Sequence, residues 1–470
     1  MKEQLSSLEK KIRASGNVYF SSFQRPRLVS FPKKRSFWNT SWVVPSLFST
    51  TFGVLLVTLT LQATQARGAF EDAIGLTPLN TVVYPRWNDA SSEDMLGGTF
   101  LKDAISSFTS STLPAMSSSQ ENVLYSPLSS YITLAMLYEA SQEQTQEELQ
   151  SFLTIEDDLL LRREIASIFR SSYQQRYQGT NPVLQSRLAN AMFIKDTYPI
   201  QASYTDLLAS SYFAEVFHTS FDQRSKQDIA DWINQKTNDF LSIEPEELSI
   251  QASTQWLLYN TLYMRANWLT PFEDNQTQEE IFTPDYGSAL RVNMMKKTLP
   301  NARMISQETY TMITDDAFGG YQFHYVLPSM NDSVEALLST DGFLSQLEDD
   351  QEETFVEEIN VYVPQFSLIN TLDLKSWMAP MMPSLFDPSL ANLSNAGEGL
   401  FVQSLKQDAR VDVFEQGFEA AAVTEADVGT TSAPMQPTLE VRLDRSFIFL
   451  ITNEQGLLHF IGIVHQPIEA

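Results

Sequence analysis

The segment Gly417–Thr431 restricts the folds open to this chain more than any other stretch. Side chains of a strand alternate between the two faces of its sheet. One face of this segment would carry Phe418, Ala420, Ala422, Thr424, Ala426, Val428 and Thr430, none of them charged. The other would carry Glu419, Ala421, Val423, Glu425, Asp427, Gly429 and Thr431, which include every charge in the segment. That is the pattern of a half-buried strand. No proline interrupts it before Pro434, so a central place in a sheet is open to it. Most of these side chains are small, however, and would anchor a permanent core strand poorly. The combination suits a segment that is exposed first and enters a sheet later. On composition alone, an Ala-rich helix or an edge strand fits as well.

The rest of the chain can supply such a sheet. Its 470 residues are 43% hydrophobic and 11% aromatic, enough for a large core in one mixed domain or in two or three. A net charge of −27 repels polyanions, so no nucleic-acid partner is expected. Without cysteine there can be no disulfide, thiolate nucleophile or cysteine zinc site. The histidines are His218, His324, His459 and His465, and no two have the i, i+4 spacing of a helical metal pair. GxSxG, P-loop and GxGxxG motifs are absent, and neither a metal nor a cofactor is expected. A hydrolase using carboxylates alone is a distant alternative without a recognisable constellation.

Charge separates the first residues from the remainder. Residues 1–41 carry nine Lys/Arg against Glu3 and Glu9, a balance of +7 that leaves −34 for the rest. Residues 42–66 are uncharged, with an apolar heart at Phe52–Leu61, and read as a signal peptide or a membrane anchor. Basic residues before this stretch fit an amino terminus held in the cytoplasm. Thr64-Gln65-Ala66 has the small-x-small form of a signal-peptidase site. Cleavage would secrete the acidic domain; retention would anchor it outside the cytoplasm, with membrane contact only through residues 42–66. Residues 67–91 read as a linker and residues 92–470 as the folded domain.

Apolar spacing predicts helices at Phe100–Phe108, Tyr131–Leu137, Tyr204–Phe213 and Ile229–Phe240, and another capped by the Thr145 hydroxyl. Strands are predicted at Trp256–Met264, His324–Leu327, Val356–Val363, Phe401–Leu405, Val411–Val413, Phe447–Thr452 and His459–Val464. Helices cluster early and strands late, which argues for an α+β fold.

Several separated motifs then occur in a telling order. Asn122-Val-Leu-Tyr-Ser-Pro-Leu-Ser-Ser is followed by Leu188-Ala-Asn-Ala-Met-Phe-Ile. Next come Asn260, Tyr263, Arg265, Trp268, Pro271 and Phe272, with Thr277 and Phe282 beyond, and then Val292-Asn-Met-Met. Glu415-Gln-Gly-Phe-Glu-Ala-Ala-Ala-Val-Thr precedes Asp444-Arg-Ser-Phe-Ile-Phe and Phe460-Ile-Gly-Ile-Val. The set resembles the serpins over residues 92–470.

The resemblance implies the serpin fold: helices around a large central sheet, two further sheets, and an exposed reactive-centre loop, here about residues 415–437. It also implies a monomer that contributes no catalytic group and inhibits a serine, or sometimes cysteine, protease. The protease would acylate itself on the loop, whose amino-terminal side would then insert as a new strand. Fifteen residues at ~3.3 Å each give a strand on the order of 50 Å. The implied hinge is Glu415, Gly417, Phe418, Glu419, Ala420, Ala421, Ala422 and Thr424. Counting from it puts the reactive bond at Thr431–Ser432; counting back from Phe447 suggests Met435–Gln436. Either would suit elastase-like enzymes, the first also subtilisin-like and the second also chymotrypsin-like ones, and neither offers the basic residue trypsin-like proteases require.

Ser126, Ser129 and Asn260 match the family's shutter, where the sheet must part, and Trp268 matches the breach at its top. Gln407 stands where a histidine is usual, and can still donate and accept hydrogen bonds. Glu139 and Gln142 stand where glycines are common. Phe418 occupies an inward position usually held by a small residue. Its ring would add stabilisation if a pocket exists and slow insertion if none does, so a non-inhibitory carrier, storage or chaperone role is the alternative.

Overall fold

The computed structural model describes residues 77–78, 99–117, 120–179, 181–248, 250–251, 253–347, 353–418 and 439–468. Residues 1–41 and 42–66 lie outside this set, and no described helix is long and apolar enough to cross a membrane. Arg67–Ala470 forms one compact unit.

Helices dominate the first part of this unit. They are α1 (Thr99–Ser117), α2 (Pro127–Ala140), α3 (Glu143–Phe152), α4 (Asp158–Ser172), α5 (Ala202–Ser211) and α6 (Gln223–Lys236). Local chemistry explains their starts. Ser126 caps α2 by accepting from the Ser129 amide, with Pro127 in the first turn where its missing N–H costs nothing. Asp157 and Asp222 cap α4 and α6 in the same way. α2 is buried on nearly every side, consistent with its apolar composition all round.

One sheet runs β1 (Thr77–Pro78), β5 (Ala214–Thr219), β4 (Asn181–Lys195), β6 (Trp256–Asn267), β14 (Gly417–Phe418), β13 (Lys406–Phe414) and β12 (Phe366–Asp373), with β3 (Gln174–Gln178) also paired to β4. Thr77–Pro78 therefore brings an edge strand out of the expected linker. The alternation of β4 explains the sheet's central position. Ala189, Ala191 and Phe193 pack toward α6, while Leu188, Met192 and Ile194 join the core built with α1 and α2.

The second sheet runs β15 (Leu439–Arg442), β11 (Thr354–Pro364), β8 (Leu290–Ser306), β9 (Tyr310–Ala317), β10 (Tyr321–Pro328), β16 (Phe447–Thr452), β17 (Leu458–Val464) and β2 (Val123–Tyr125), with β7 (Gln278–Phe282) on β8. The two smaller expected sheets are thus continuous, because the 17-residue β8 pairs with β7 and β11 along most of its length and with β9 at its end. A separate core rich in aromatic rings fills the space between the two large sheets.

Some local expectations fail. Phe401–Leu405 is not a strand; pairing with β12 begins only at Lys406, and the preceding residues are irregular. Thr145 does not cap α3, which begins at Glu143 after Gln142. Its hydroxyl instead accepts from the Asn392 amide at 3.0 Å and from Ser384 at 3.2 Å. α5 and α6 stop before Phe213 and Phe240, since Phe213, Asn238 and Asp239 have positive φ.

The two residues that stand where glycines are common, Glu139 in the last turn of α2 and Gln142 beyond its end, have partners. Arg162 clasps the Glu139 carboxylate through Nε and Nη2, both at 2.6 Å, and Tyr212 donates to it at 3.0 Å. Gln142 bonds Asn395, whose amide nitrogen returns to the carbonyls of Glu139 and Ser141. Breaking a buried pair leaves an uncompensated charge. Arg162→Ala is therefore expected to cost about 3 kcal/mol in denaturant unfolding, and Arg162→Ala with Glu139→Ala less than that single change.

Candidate functional site

The strands β6 and β13 flank one position of the first sheet and share no ladder with each other among the described residues. Between them at one end sits β14. Gly417 and Phe418 pair with Asn267 and Ala266 on one side and with Phe414 and Val413 on the other. A cavity of about 30 Å³ continues below Phe418, lined by Asn260–Met264 from β6 and Gln407–Val411 from β13. Thr237, Phe240 and Leu241, from the segment after α6, also line it, as do Ser126, Ser129, Ile451 and Phe460.

Gly417 is required here by close approach. A Cβ at this position would meet the Ala266 carbonyl oxygen at 2.3 Å and the Asn267 Cα at 2.7 Å. Phe418 is 1% exposed, and its ring lies edge-on to Trp268 at 5.6 Å and tilted against Phe323 at 5.9 Å. Trp268 in turn joins the strand ends: its backbone N–H donates to Gln416 and its indole N–H to the Phe414 carbonyl at 3.0 Å. Glu415 holds the other side of this turn. Its carboxylate accepts from Thr277 at 2.7 Å and from Gln365 at 2.8 and 2.7 Å, and its carbonyl accepts from the Phe272 amide.

Farther along the cavity, Gln407 faces the start of α2. Its Oε1 accepts from the Ser126 amide at 2.7 Å, while its Nε2 donates to the Ser126 carbonyl at 2.9 Å and to the Ser130 hydroxyl at 3.0 Å. The Ser126 hydroxyl donates to the His459 carbonyl at 2.8 Å and lies 3.1 Å from Ser129. Burial pushes the His459 imidazole down to about 4, with a hydrogen bond to the Leu457 carbonyl opposing that fall.

A family model described as Serpin (serine protease inhibitor) matches residues 103–467. The chain belongs to the serpin family. A "Serine protease inhibitor" of Cyanea capillata is 27% identical over 382 residues, 77% of this chain and 96% of that protein. An "Uncharacterized serpin-like protein" of Methanosarcina acetivorans is 24% identical, spanning 88% of this chain and 97% of its own length. The fold also matches that of the thermophilic serpin tengpin in its native state, with a TM-score of 0.70 at 22% identity over 83% of this chain and 99% of that one.

In this serpin the expected residues meet at two places. Ser126, Ser129 and Gln407 form one hydrogen-bonded group, and Trp268, Gly417, Phe418 and Glu415 another. Asn260 does not join Gln407. Its Nδ2 donates to Asn190 at 2.6 Å, and its Oδ1, like the Thr261 hydroxyl, is buried without a partner on the cavity wall. Glu419, Ala420, Ala421, Ala422, Thr424, Thr431, Ser432, Met435 and Gln436 lie outside the described residues.

Sequence reasoning missed Ser130, Asn190, Gln365, Phe323 and the pair Lys297–Asp315. Asn190 and Ser130 carried a signal, the first within the Leu188-Ala-Asn-Ala motif and the second at the end of the motif that starts at Asn122. The others become neighbours through contacts between separate strands.

Gln407→Leu is expected to strand the buried Ser126 amide, while the Ser126 carbonyl keeps the Ser130 N–H, and to lower unfolding free energy by about 1–3 kcal/mol. The His459 pKa lies below that of an unfolded histidine, so the unfolded chain binds the proton first as pH falls from 6.5 toward about 4. This histidine then subtracts up to about 1.4 kcal/mol of stability per pH unit in that window. His459→Gln is expected to flatten the loss measured by chemical denaturation between those limits.

Proposed function

We propose that this serpin is a suicide-substrate inhibitor of serine, or cysteine, endopeptidases outside the cytoplasm. The observation that carries this reading is β14. Gly417 and Phe418 already hold the first rung of a strand between β6 and β13, with ladder partners on both sides. A chain continuing from Phe418 has the cavity ahead of it, where Asn260 Oδ1 and Thr261 Oγ1 lack partners. The aromatic pocket beside Trp268 also answers the objection raised by Phe418. Its ring is seated among matched rings and does not have to force a packed core apart.

In the proposed reaction the protease nucleophile attacks the Thr431 carbonyl. The bond to Ser432 breaks, its nitrogen leaves with a proton, and an ester or thioester joins Thr431 to the enzyme. Residues after Phe418 then enter between β6 and β13. Alternate uncharged side chains face the core, and backbone groups gain partners on both edges. Insertion outruns deacylation, and the displaced protease remains trapped. Thr431 directs this reading to elastase-like or subtilisin-like targets, with Met435–Gln436 as the second candidate bond.

Arg67–Ala470 incubated with such proteases should give a complex that survives denaturing electrophoresis. Cleavage without complex would leave the non-inhibitory reading in its place. Mass spectrometry of the released carboxy-terminal peptide should find Ser432 first; Gln436 would select the alternative bond. Ala422→Arg, which places a charge on the inward face, should turn the inhibitor into a substrate. Undiminished complex formation by that variant would refute the insertion register.

A further inference from the structure

Beneath the aromatic pocket lies a buried ion pair that neither the hinge nor the shutter uses directly. Lys297 of β8 and Asp315 of β9 are 4% and 1% exposed, with Nζ 2.5 Å from Oδ2. The same ammonium lies 4.7 Å from the Trp268 ring centre and 4.2 Å from that of Phe272, and it donates to the Thr270 carbonyl at 2.8 Å. Every one of these contacts bears on the short segment 268–272. That segment receives the hinge: the Trp268 amide donates to Gln416 and the Phe272 amide to Glu415.

A surface lysine would leave this segment free to move. A caged cation does not, because desolvation strengthens its attraction to both ring faces and to the carbonyl. Trp268 lies at the end of β6, and its indole N–H reaches across to the Phe414 carbonyl at the end of β13. Its ring is therefore a spacer between the two strands, and Phe418 packs against that spacer. Burial of the pair is unfavourable by itself, and hydrophobic residues of similar volume often stabilise such positions better.

We infer that Lys297 is a positioning residue for strand entry: held by Asp315, its ammonium fixes Trp268 as the spacer that keeps β6 and β13 one strand apart at the hinge. Its consequence for trapping rests on the inhibitor reading above; its effect on the hinge does not.

Hydrogen exchange of the full chain tests the role without any protease. In Lys297→Met with Asp315→Leu, which removes both charges together, amides of Gly417 and Phe418 should exchange about tenfold faster, the worth of roughly one hydrogen bond. The β4–β6 ladder should keep its wild-type rates. Lys297→Arg, which retains the charge, should resemble the wild type at the hinge. Trp268→Phe, a milder change that removes the bond to Phe414, should loosen the hinge alone and serves if the double variant does not fold. Equal acceleration at hinge and ladder, or none at the hinge, in either variant would reduce the pair to a general stabilising contact and overturn the inference. With an elastase-like protease, the double variant should also yield more cleaved protein and less complex. A wild type that forms no complex would defeat the inhibitor reading and leave the exchange result to decide the role of Lys297.

Discussion

The indole N–H of Trp268, donated to the Phe414 carbonyl at 3.0 Å, ties the ends of two strands that are not paired along their length. A sheet ordinarily closes such a gap, because unpaired backbone groups inside a protein are costly. Here the top of the gap is held by side chains and by the two residues of β14. Everything distinctive about the site follows from that separation. Gly417 lets the backbone lie against Ala266, Phe418 fills the space beside Trp268, and Glu415 anchors the turn through neutral donors from Thr277 and Gln365.

The network farther down is likewise built from neutral groups. Gln407 reads both the amide and the carbonyl of Ser126, a two-point contact that suits a primary amide, which presents a donor and an acceptor side by side. The nearby His459 contributes its backbone carbonyl to Ser126 while burial keeps its ring neutral at physiological pH. One carboxylate does join the strands that must separate in the proposed reaction: Asp408 of β13 accepts from the Tyr259 hydroxyl of β6 at 2.6 Å. Buried charged side chains with close partners lie at Glu139, held by Arg162, at Lys297–Asp315, and at Asp412 of β13, held by Arg410.

Much of the architecture was legible from local pattern. The apolar spacing of Tyr131–Leu137 falls within α2, and the apolar runs at Phe447–Thr452 and His459–Val464 lie fully inside the second sheet. Errors arose where tertiary contacts override local preference. Thr145 looks like a cap but is engaged by Ser384 and Asn392, residues more than two hundred positions away. Phe401–Leu405 has the composition of a strand but no partner ladder, and it lines a cavity beside Trp256–Leu258 instead. Glu139 and Gln142, odd where glycines are common, become ordinary once Arg162, Tyr212 and Asn395 are brought beside them.

The alternation of uncharged residues along Gly417–Thr431 could be read directly as a sequence pattern, of which the structure describes Gly417 and Phe418. So could the family, since its motifs recur in order along the chain. Whether Phe418 helps or hinders could not be read in that way. That depends on Trp268 and Phe323, which reach its ring from β6 and β10, and on Lys297 and Asp315, which hold Trp268 from β8 and β9. Long-range packing seats the Phe418 ring, and no pattern along the sequence encodes which distant rings will meet.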